Sequence, residues 1–388
     1  MQFSRKHNSV ESDSLLGRAN SCFDSGRYEE ARDLLLVLLK ENPASSAVLR
    51  SLGLVSLRLG QPAQAARYCR QAVQANPHDS EAHFSLALLL LLNGNYEQGW
   101  IEYEWRLTRD NCVAQRYAQG ARWDGRPLEN EALMLHCEQG FGDNLQFIRF
   151  LPLLRERVKK IYLACHPELV RLFSGLDGLA GIVTDKQPLP VCQFHCPLLS
   201  LPHLFKVTLA TIPQRIPYLP VSTALPERPF RPRVGIVWRA NRSSPNSGYR
   251  SVPLADLRTL ANLPLDWISL QRDLDSEELE ILQTDFNAQD RAGEFRDFKD
   301  TADCLETLDL VITVDTSVAH LAGALGRPVC ILLPKCSDWR WLLDRPDSPW
   351  YPTMRLFRQK TDSDWKDPLR DLRHKLEDFL AASTQLRS

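Results

Sequence analysis

Leu308-Asp309-Leu310-Val311-Ile312-Thr313-Val314-Asp315-Thr316-Ser317-Val318-Ala319-His320-Leu321-Ala322-Gly323-Ala324-Leu325-Gly326 decides how the rest of this chain is read. Leu310 to Val314 is apolar and β-branched enough for a strand buried on both faces, as strands of parallel sheets are. Ala319, Leu321, Ala322, Ala324 and Leu325 suit a helix that begins at once. A strand running straight into a helix puts the helix N-terminus at the carboxyl edge of a sheet. The first amides of a helix have no partner within it and its dipole is positive there, so the junction attracts a phosphate. Thr316 and Ser317 would add hydroxyl donors. The competing reading is that Asp315 or Thr316 caps an ordinary helix, and the stretch alone does not separate the two.

The surrounding sequence has the texture of an α/β protein from Trp123 onward, where short apolar strands alternate with amphipathic helices. Ala132 to Cys137, Lys160 to Cys165 and Ile182 to Val183 read as strands, with helices over Asp143 to Arg155 and Pro167 to Phe173. Pro213 to Pro232 has the composition of a linker. Val234 to Trp238, Trp267 to Leu270, Leu310 to Val314 and Val329 to Leu333 then read as strands of a second unit, with helices over Leu254 to Leu260 and Thr301 to Leu308. Two halves of this kind face a cleft.

The front of the chain follows a different rule. Gly26, Gly60 and Gly94 recur at a fixed interval of 34 residues, accompanied in register by Ala31, Ala65 and Gly99 and by Asn42-Pro43 and Asn76-Pro77. That period resembles the tetratricopeptide repeat, in which small residues let paired helices approach and proline closes the second helix. Pro62 stands where Tyr28 and Tyr96 stand in the other repeats, a position in the first helical turn that tolerates proline. Leu86 to Leu92 is apolar all round, as a helix packed on both sides would be. Repeats of this type offer a groove to a protein segment, and three of them could equally serve as a structural extension or as a contact between copies of the chain.

Composition narrows the partners. The chain has 388 residues, 24% of them charged, and a formal net charge of −1 without a long basic run, so it has no electrostatic footprint for nucleic acid. Residues 1–20 lack an apolar signal core and no stretch is long enough to span a bilayer, which leads us to expect a cytoplasmic protein without a membrane span. The ten cysteines show no repeated spacing and several fall in strand-like runs, as reduced core cysteines do. Cys192, His195 and Cys196 lack a second ligand pair at zinc spacing and read better as a buried strand edge.

Two loops carry further candidates. Glu138-Gln139-Gly140-Phe141-Gly142-Asp143 follows the first strand of the front half, with Gly140 and Gly142 allowing close backbone approach and Asp143 delivered to a helix start. By itself Asp143 is equally an N-cap. Trp238-Arg239-Ala240-Asn241-Arg242 and Arg250-Ser251 flank a polar loop that can place guanidinium groups over phosphate oxygens. Gln271 sits just past another strand, where a nucleotide base could be read. Asp273-Leu274-Asp275 and Asp362-Ser363-Asp364 are paired acids, but a helix start and a polar turn explain them without a metal.

Together Gly140-x-Gly142-Asp143, the Trp238 to Ser251 segment and Asp315-Thr316-Ser317-x-x-His320 resemble the motifs of bacterial glycosyltransferases of the GT-B fold related to the heptosyltransferases, over residues 123 to about 370. With its front end, the chain resembles bacterial tetratricopeptide-repeat glycosyltransferases, similar in architecture to the protein O-GlcNAc transferases and including enzymes thought to glycosylate flagellin. Ser337 to Trp341 and Pro349 to Pro352 also look like this repeat-containing group. The expected fold is α + α/β: a flexible N-terminus over 1–10, three tetratricopeptide repeats over 11–109, a Rossmann-like acceptor-side lobe over 110–226, a Rossmann-like nucleotide-sugar lobe over 227–352, and a helical segment over 353–388. The resemblance implies inverting transfer from a nucleotide-sugar to an acceptor hydroxyl, on a protein such as flagellin, with Asp143 as general base. It implies a donor site at Arg239, Asn241, Arg250, Gln271, Asp315, Thr316, Ser317 and His320, with no metal or cofactor. Arg250 stands where the heptosyltransferases use a lysine, which leaves the donor open. A glycan or lipopolysaccharide acceptor and an inactive scaffold are the alternatives.

Overall fold

The 34-residue period becomes paired helices. A computed structural model describes residues 15–109, 117–118, 120–221, 231–243 and 247–385. The front holds α1 (residues 15–24), α2 (Tyr28–Glu41), α3 (Ser46–Arg58), α4 (Pro62–Ala75), α5 (Ser80–Leu92) and α6 (Tyr96–Tyr103). Gly26, Gly60 and Gly94 all adopt positive φ, so each turn between paired helices uses the left-handed conformation that glycine enters without strain. The small residues in register mark close approach. Ala31 and Ala65 are fully buried, and a Cβ on Gly99 would lie 2.7 Å from Leu91 Cδ2.

This helical unit recruits two pieces from farther along the chain, Lys206–Leu209 and Asp338–Leu343, which sequence pattern alone assigns to the lobes. Trp339 stands edge-on to Trp100 at 5.4 Å and close to Tyr96 and Tyr103, while Trp100 Nε1 donates to Val207 O at 3.0 Å. Two short 3-10 turns, Glu104–Thr108 and Trp339–Trp341, pack on α5. That covering explains why α5 is apolar on every side.

The second compact unit holds two parallel sheets. The front sheet comprises β1 (Ala121–Arg122), β2 (Leu128–His136), β3 (Val158–Ala164), β4 (Leu179–Val183) and β5 (Phe194–Pro197), in the order β1-β5-β2-β3-β4. Its helices are α7 (Phe141–Phe147), α8 (Leu151–Arg157), α9 (Pro167–Phe173) and α10 (Leu201–Leu204). The helix read over Asp143 to Arg155 is divided by a 3-10 turn at Ile148–Phe150, just before Pro152, whose ring removes a helical amide.

The rear sheet comprises β6 (Arg233–Val237), β7 (Asp266–Ser269), β8 (Gln289–Asp290), β9 (Leu310–Val314), β10 (Val329–Leu333) and β11 (Met354–Arg358), in the order β11-β10-β9-β6-β7-β8. Its helices are α11 (Leu254–Ala261), α12 (Ser276–Thr284), α13 (Phe298–Glu306), α14 (Ser317–Ala324) and α15 (Lys366–Gln385). The stretch read as a helical tail therefore begins with a strand: β11 continues the sheet beside β10, and only α15 is helical. α15 buries Leu369, Leu372 and Leu376 at helical spacing in the core beneath β6 and β9, where each buried leucine contributes roughly 1.5–3 kcal/mol.

Strand order fixes where ligands can bind. In the rear sheet the chain builds outward from β6 through β7 and β8, then returns to place β9 on the other side of β6. In the front sheet the same reversal falls between β2 and β5. A crevice opens at the carboxyl ends of strands where the order reverses. The exits of β2, β6 and β9 are the three segments singled out from the sequence.

Candidate functional site

At the end of β9, Asp315 is buried and Thr316 is extended, with φ −140° and ψ 171°, before α14 begins at Ser317. No side chain caps this helix. The Thr316 hydroxyl instead meets Thr313 Oγ1 at 3.2 Å. The Thr316 side chain therefore does not supply the cap that the sequence allows. Thr316, Ser317 and Val318 line a cavity of about 300 Å³, whose other walls come from the exits of β6 and β7, from α13, and from Phe141 and Glu168 of the front sheet's helices. An uncapped helix end facing a cavity at a switch point is built to hold an anion.

The remaining donor candidates divide into two groups. Arg239, Asn241 and Gln271 line the same cavity. Arg239, read as a phosphate ligand, has its guanidinium bound to Glu278 at 3.1 and 3.0 Å and to Asp273 O at 2.9 Å, so it acts chiefly as a strut. Burial alone would raise the Glu278 carboxyl, but its bonds from Arg239 and from Trp238 Nε1 hold it below the ordinary range. Gln271 accepts from Arg239 N at 2.9 Å and donates to Arg272 O at 3.1 Å. Its amide fastens the β6 exit rather than standing open to a base. Asn241 Oδ1 accepts from Ser243 N at 3.0 Å, which closes a turn.

Arg250, Asp315 and His320 lie outside the lining. Arg250 Nη1 reaches Asp315 O at 3.4 Å, which brings that guanidinium beside the start of α14. His320, read as a ligand for phosphate or sugar, is buried, with Nδ1 2.9 Å from Tyr351 Oη. Its ring fills the space that Gly142 leaves, since a Cβ there would lie 2.7 Å from His320 Cδ2. Gly142 and His320 therefore form the seam where α7 packs on α14.

Asp143 sits half-buried in the first turn of α7, and its Oδ2 accepts from Gly140 N at 2.9 Å. Gln139 just before is held at φ 58°, a strained conformation of a kind that gathers at functional sites. Asn144 braces the turn from below, accepting from Glu138 N and donating to Gly140 O. Asp143 is thus both a cap and a carboxylate at the front switch point, one residue from the seam with α14. It does not line the 300 Å³ cavity.

Sequence reasoning missed the groups that join the halves. Arg149, fully buried, donates to Trp350 O at 2.8 Å and Tyr218 Oη at 3.1 Å and lies over the rings of Tyr218, Trp350 and Tyr351. Trp350 and Tyr351 were visible as a motif, but their buried cation is distant in sequence. Phe141, its ring 4.9 Å from that of Phe298 and tilted to it, reads only as a loop aromatic.

Among the described residues no group of three His, Cys, Asp or Glu side chains comes together to hold a metal ion, Cys192, His195 and Cys196 included. Nine described cysteines are free thiols, and burial pushes those of Cys165 and Cys330 up to about 12, far from a reactive thiolate. No helix among the described residues is long and apolar enough to cross a membrane.

Comparison with known proteins agrees with the geometry. Residues 262–342 match the model of glycosyltransferase family 9 (heptosyltransferase), and residues 50–100 match a tetratricopeptide repeat model. The chain therefore holds one stretch similar to a tetratricopeptide repeat and another similar to part of a family 9 glycosyltransferase, the second lying in the rear parallel sheet. The first match spans Gln271, Asp315, Thr316, Ser317 and His320. Protein FlbA of Caulobacter vibrioides is 24% identical over 395 residues, covering 89% of this chain, which spans 63% of that protein's length. Among solved structures, a glycosyl transferase family 9 protein from Veillonella parvula aligns with a TM-score of 0.47 at 11% identity, covering 69% of this chain and 100% of that one. The E. coli ADP-heptose lps heptosyltransferase II aligns with a TM-score of 0.44 at 13% identity, covering 65% of this chain and 99% of that one.

Proposed function

We propose, from the family-9-like domain, that this chain transfers a sugar from a nucleotide-activated donor to an acceptor hydroxyl, with inversion and without a metal ion. The donor's phosphates sit at the open N-terminus of α14. That uncapped end, inside a cavity at the sheet's switch point and within the matched stretch, is the observation that carries the reading. As the bond to the sugar breaks, negative charge grows on the departing phosphate. The amides of Ser317 and Val318, the Thr316 and Ser317 hydroxyls and the helix dipole take it up, and one well-aimed donor of this kind contributes about 3 kcal/mol. Arg250, held beside Asp315, adds a fixed positive charge.

Asp143 serves as the base, accepting the proton of the attacking hydroxyl on the opposite side of the seam. A carboxylate that already accepts an N–H is a weak base, so proton transfer comes late and the leaving group carries most of the stabilisation. The acceptor is a protein presented by the repeats, and the enzyme works in the cytoplasm. Because the turns at Glu104–Thr108 and Trp339–Trp341 cover α5, α1 and α3 are the helices left to receive the acceptor in this reading. Replacing half-buried Arg50 and Leu54 of α3 should lower transfer to protein while donor hydrolysis continues.

A thermal-shift panel of UDP-, GDP-, ADP- and CMP-sugars tests the donor reading. A donor at a hundred times its Kd raises stability by about 2.7 kcal/mol. One sugar nucleotide is expected to raise the melting temperature clearly, with no loss of the effect in EDTA, and a flat response across the panel contradicts the proposal.

A further inference from the structure

We infer that Arg171, on α9 of the front half, is a positioning residue that closes the donor cavity by clasping α13 of the rear half. This rests on the donor reading above. Arg171 Nη1 lies 3.0 Å from both carboxylate oxygens of Asp297 and 3.0 Å from Asp300 Oδ1. The arginine is 45% exposed, whereas the two carboxylates are only 12% and 16% exposed. Asp297 also caps α13 through Lys299 N and Asp300 N. Its carboxylate thus ties the clasp directly to the backbone of the cavity wall.

What the clasp closes follows from its neighbours. Asp297 and Phe298 line the cavity from the rear half, while Glu168, one helical turn before Arg171, lines it from the front half. The rings of Phe141 and Phe298 meet beside them at 4.9 Å, tilted to one another. A donor lying along α14 is therefore walled by α9 only while the two halves stay together, and Arg171 is the ion pair that holds α9 there. Hydrogen bonds from Arg296, then burial working against them, then Arg171 leave the Asp300 carboxyl far below the ordinary range. The Asp300 side of the clasp therefore stays ionised in mildly acid solution.

A partly exposed ion pair weakens as salt screens it, with a Debye length of about 10 Å at 0.1 M. Arg171→Met is expected to raise donor KM about fivefold with kcat within about twofold. The wild type should show an extra rise in KM between about 0.05 M and about 0.5 M salt that the Met variant lacks. Arg171→Lys should restore part of the salt dependence. A Met variant with wild-type KM at every salt concentration overturns the inference. Small-angle scattering of the unliganded protein gives a reading independent of the donor. The Met variant should have a larger radius of gyration than the wild type at low salt, and an unchanged radius contradicts the clasp even if no nucleotide-sugar binds.

Discussion

α12 and α14 leave the same edge of the same parallel sheet, one after β7 and the other after β9, yet their first turns are treated in opposite ways. Asp275 caps α12 by accepting from Glu278 N at 2.9 Å, and Glu278 returns the bond to Asp275 N at 3.1 Å. α14 has no side-chain cap. A cap satisfies helix amides with an internal oxygen and contributes about 1 kcal/mol, so its omission inside a cavity reserves those amides for an external oxygen. α7 is the intermediate case, capped by an Asp143 that also stands at a switch point. On the proposed function, the sealed end supports the fold, the open end meets the donor, and the mixed one does both.

The largest expected effect is at the mixed end. Asp143→Ala should lower kcat by about 10²- to 10⁴-fold, as loss of a general base does, with donor affinity unchanged. It should also lower stability by about 1 kcal/mol through the lost bond to Gly140. Steady-state kinetics and chemical denaturation separate the two, and an active alanine variant removes the base assignment. At the open end, Thr316→Val should weaken donor binding about tenfold in calorimetry, within the worth of one hydrogen bond to a charged group. Unchanged affinity would contradict the phosphate contact. At the sealed end, Asp275→Ala should cost about 1 kcal/mol in urea denaturation and leave donor affinity as it was.

The smallest effect is electrostatic. Glu278 is held below the ordinary carboxylate range, so its contribution is fully present above about pH 4.3 and is lost as pH falls through its lower folded value. Glu278→Gln should therefore be less stable than the wild type by about 1 kcal/mol at neutral pH. That gap should narrow on acidification below pH ~4. A gap that widens in acid would mean that Arg239 is not the partner that matters.

Much of this was legible in the chain itself. Leu310 to Val314 and Val329 to Leu333 matched their strands because both faces of a central parallel strand are buried, leaving an unbroken apolar run. The 34-residue repeat was equally plain, since its glycines and alanines answer to local helix contact. β11 was missed because Met354-Arg355-Leu356-Phe357-Arg358 lies near the sheet's edge and alternates too weakly to declare itself. His320 shows another limit: its motif position is readable, but its surroundings, Gly142 and Tyr351, come from distant parts of the chain. Arg239 is similar, because its partner Glu278 lies on another helix. Periodicity reports which residues are buried together locally. It is silent about which charged groups have already found partners across the fold.

The central claim is that the bare amides of α14 hold the donor's phosphate, and Ser317→Pro tests it most directly. Proline is tolerated at the first position of a helix, follows the extended Thr316 without strain, and deletes one amide donor. Calorimetry of the best-binding nucleotide-sugar should show affinity about tenfold weaker, with the melting temperature of the free protein nearly unchanged. Wild-type affinity in a folded Ser317→Pro protein would contradict the account.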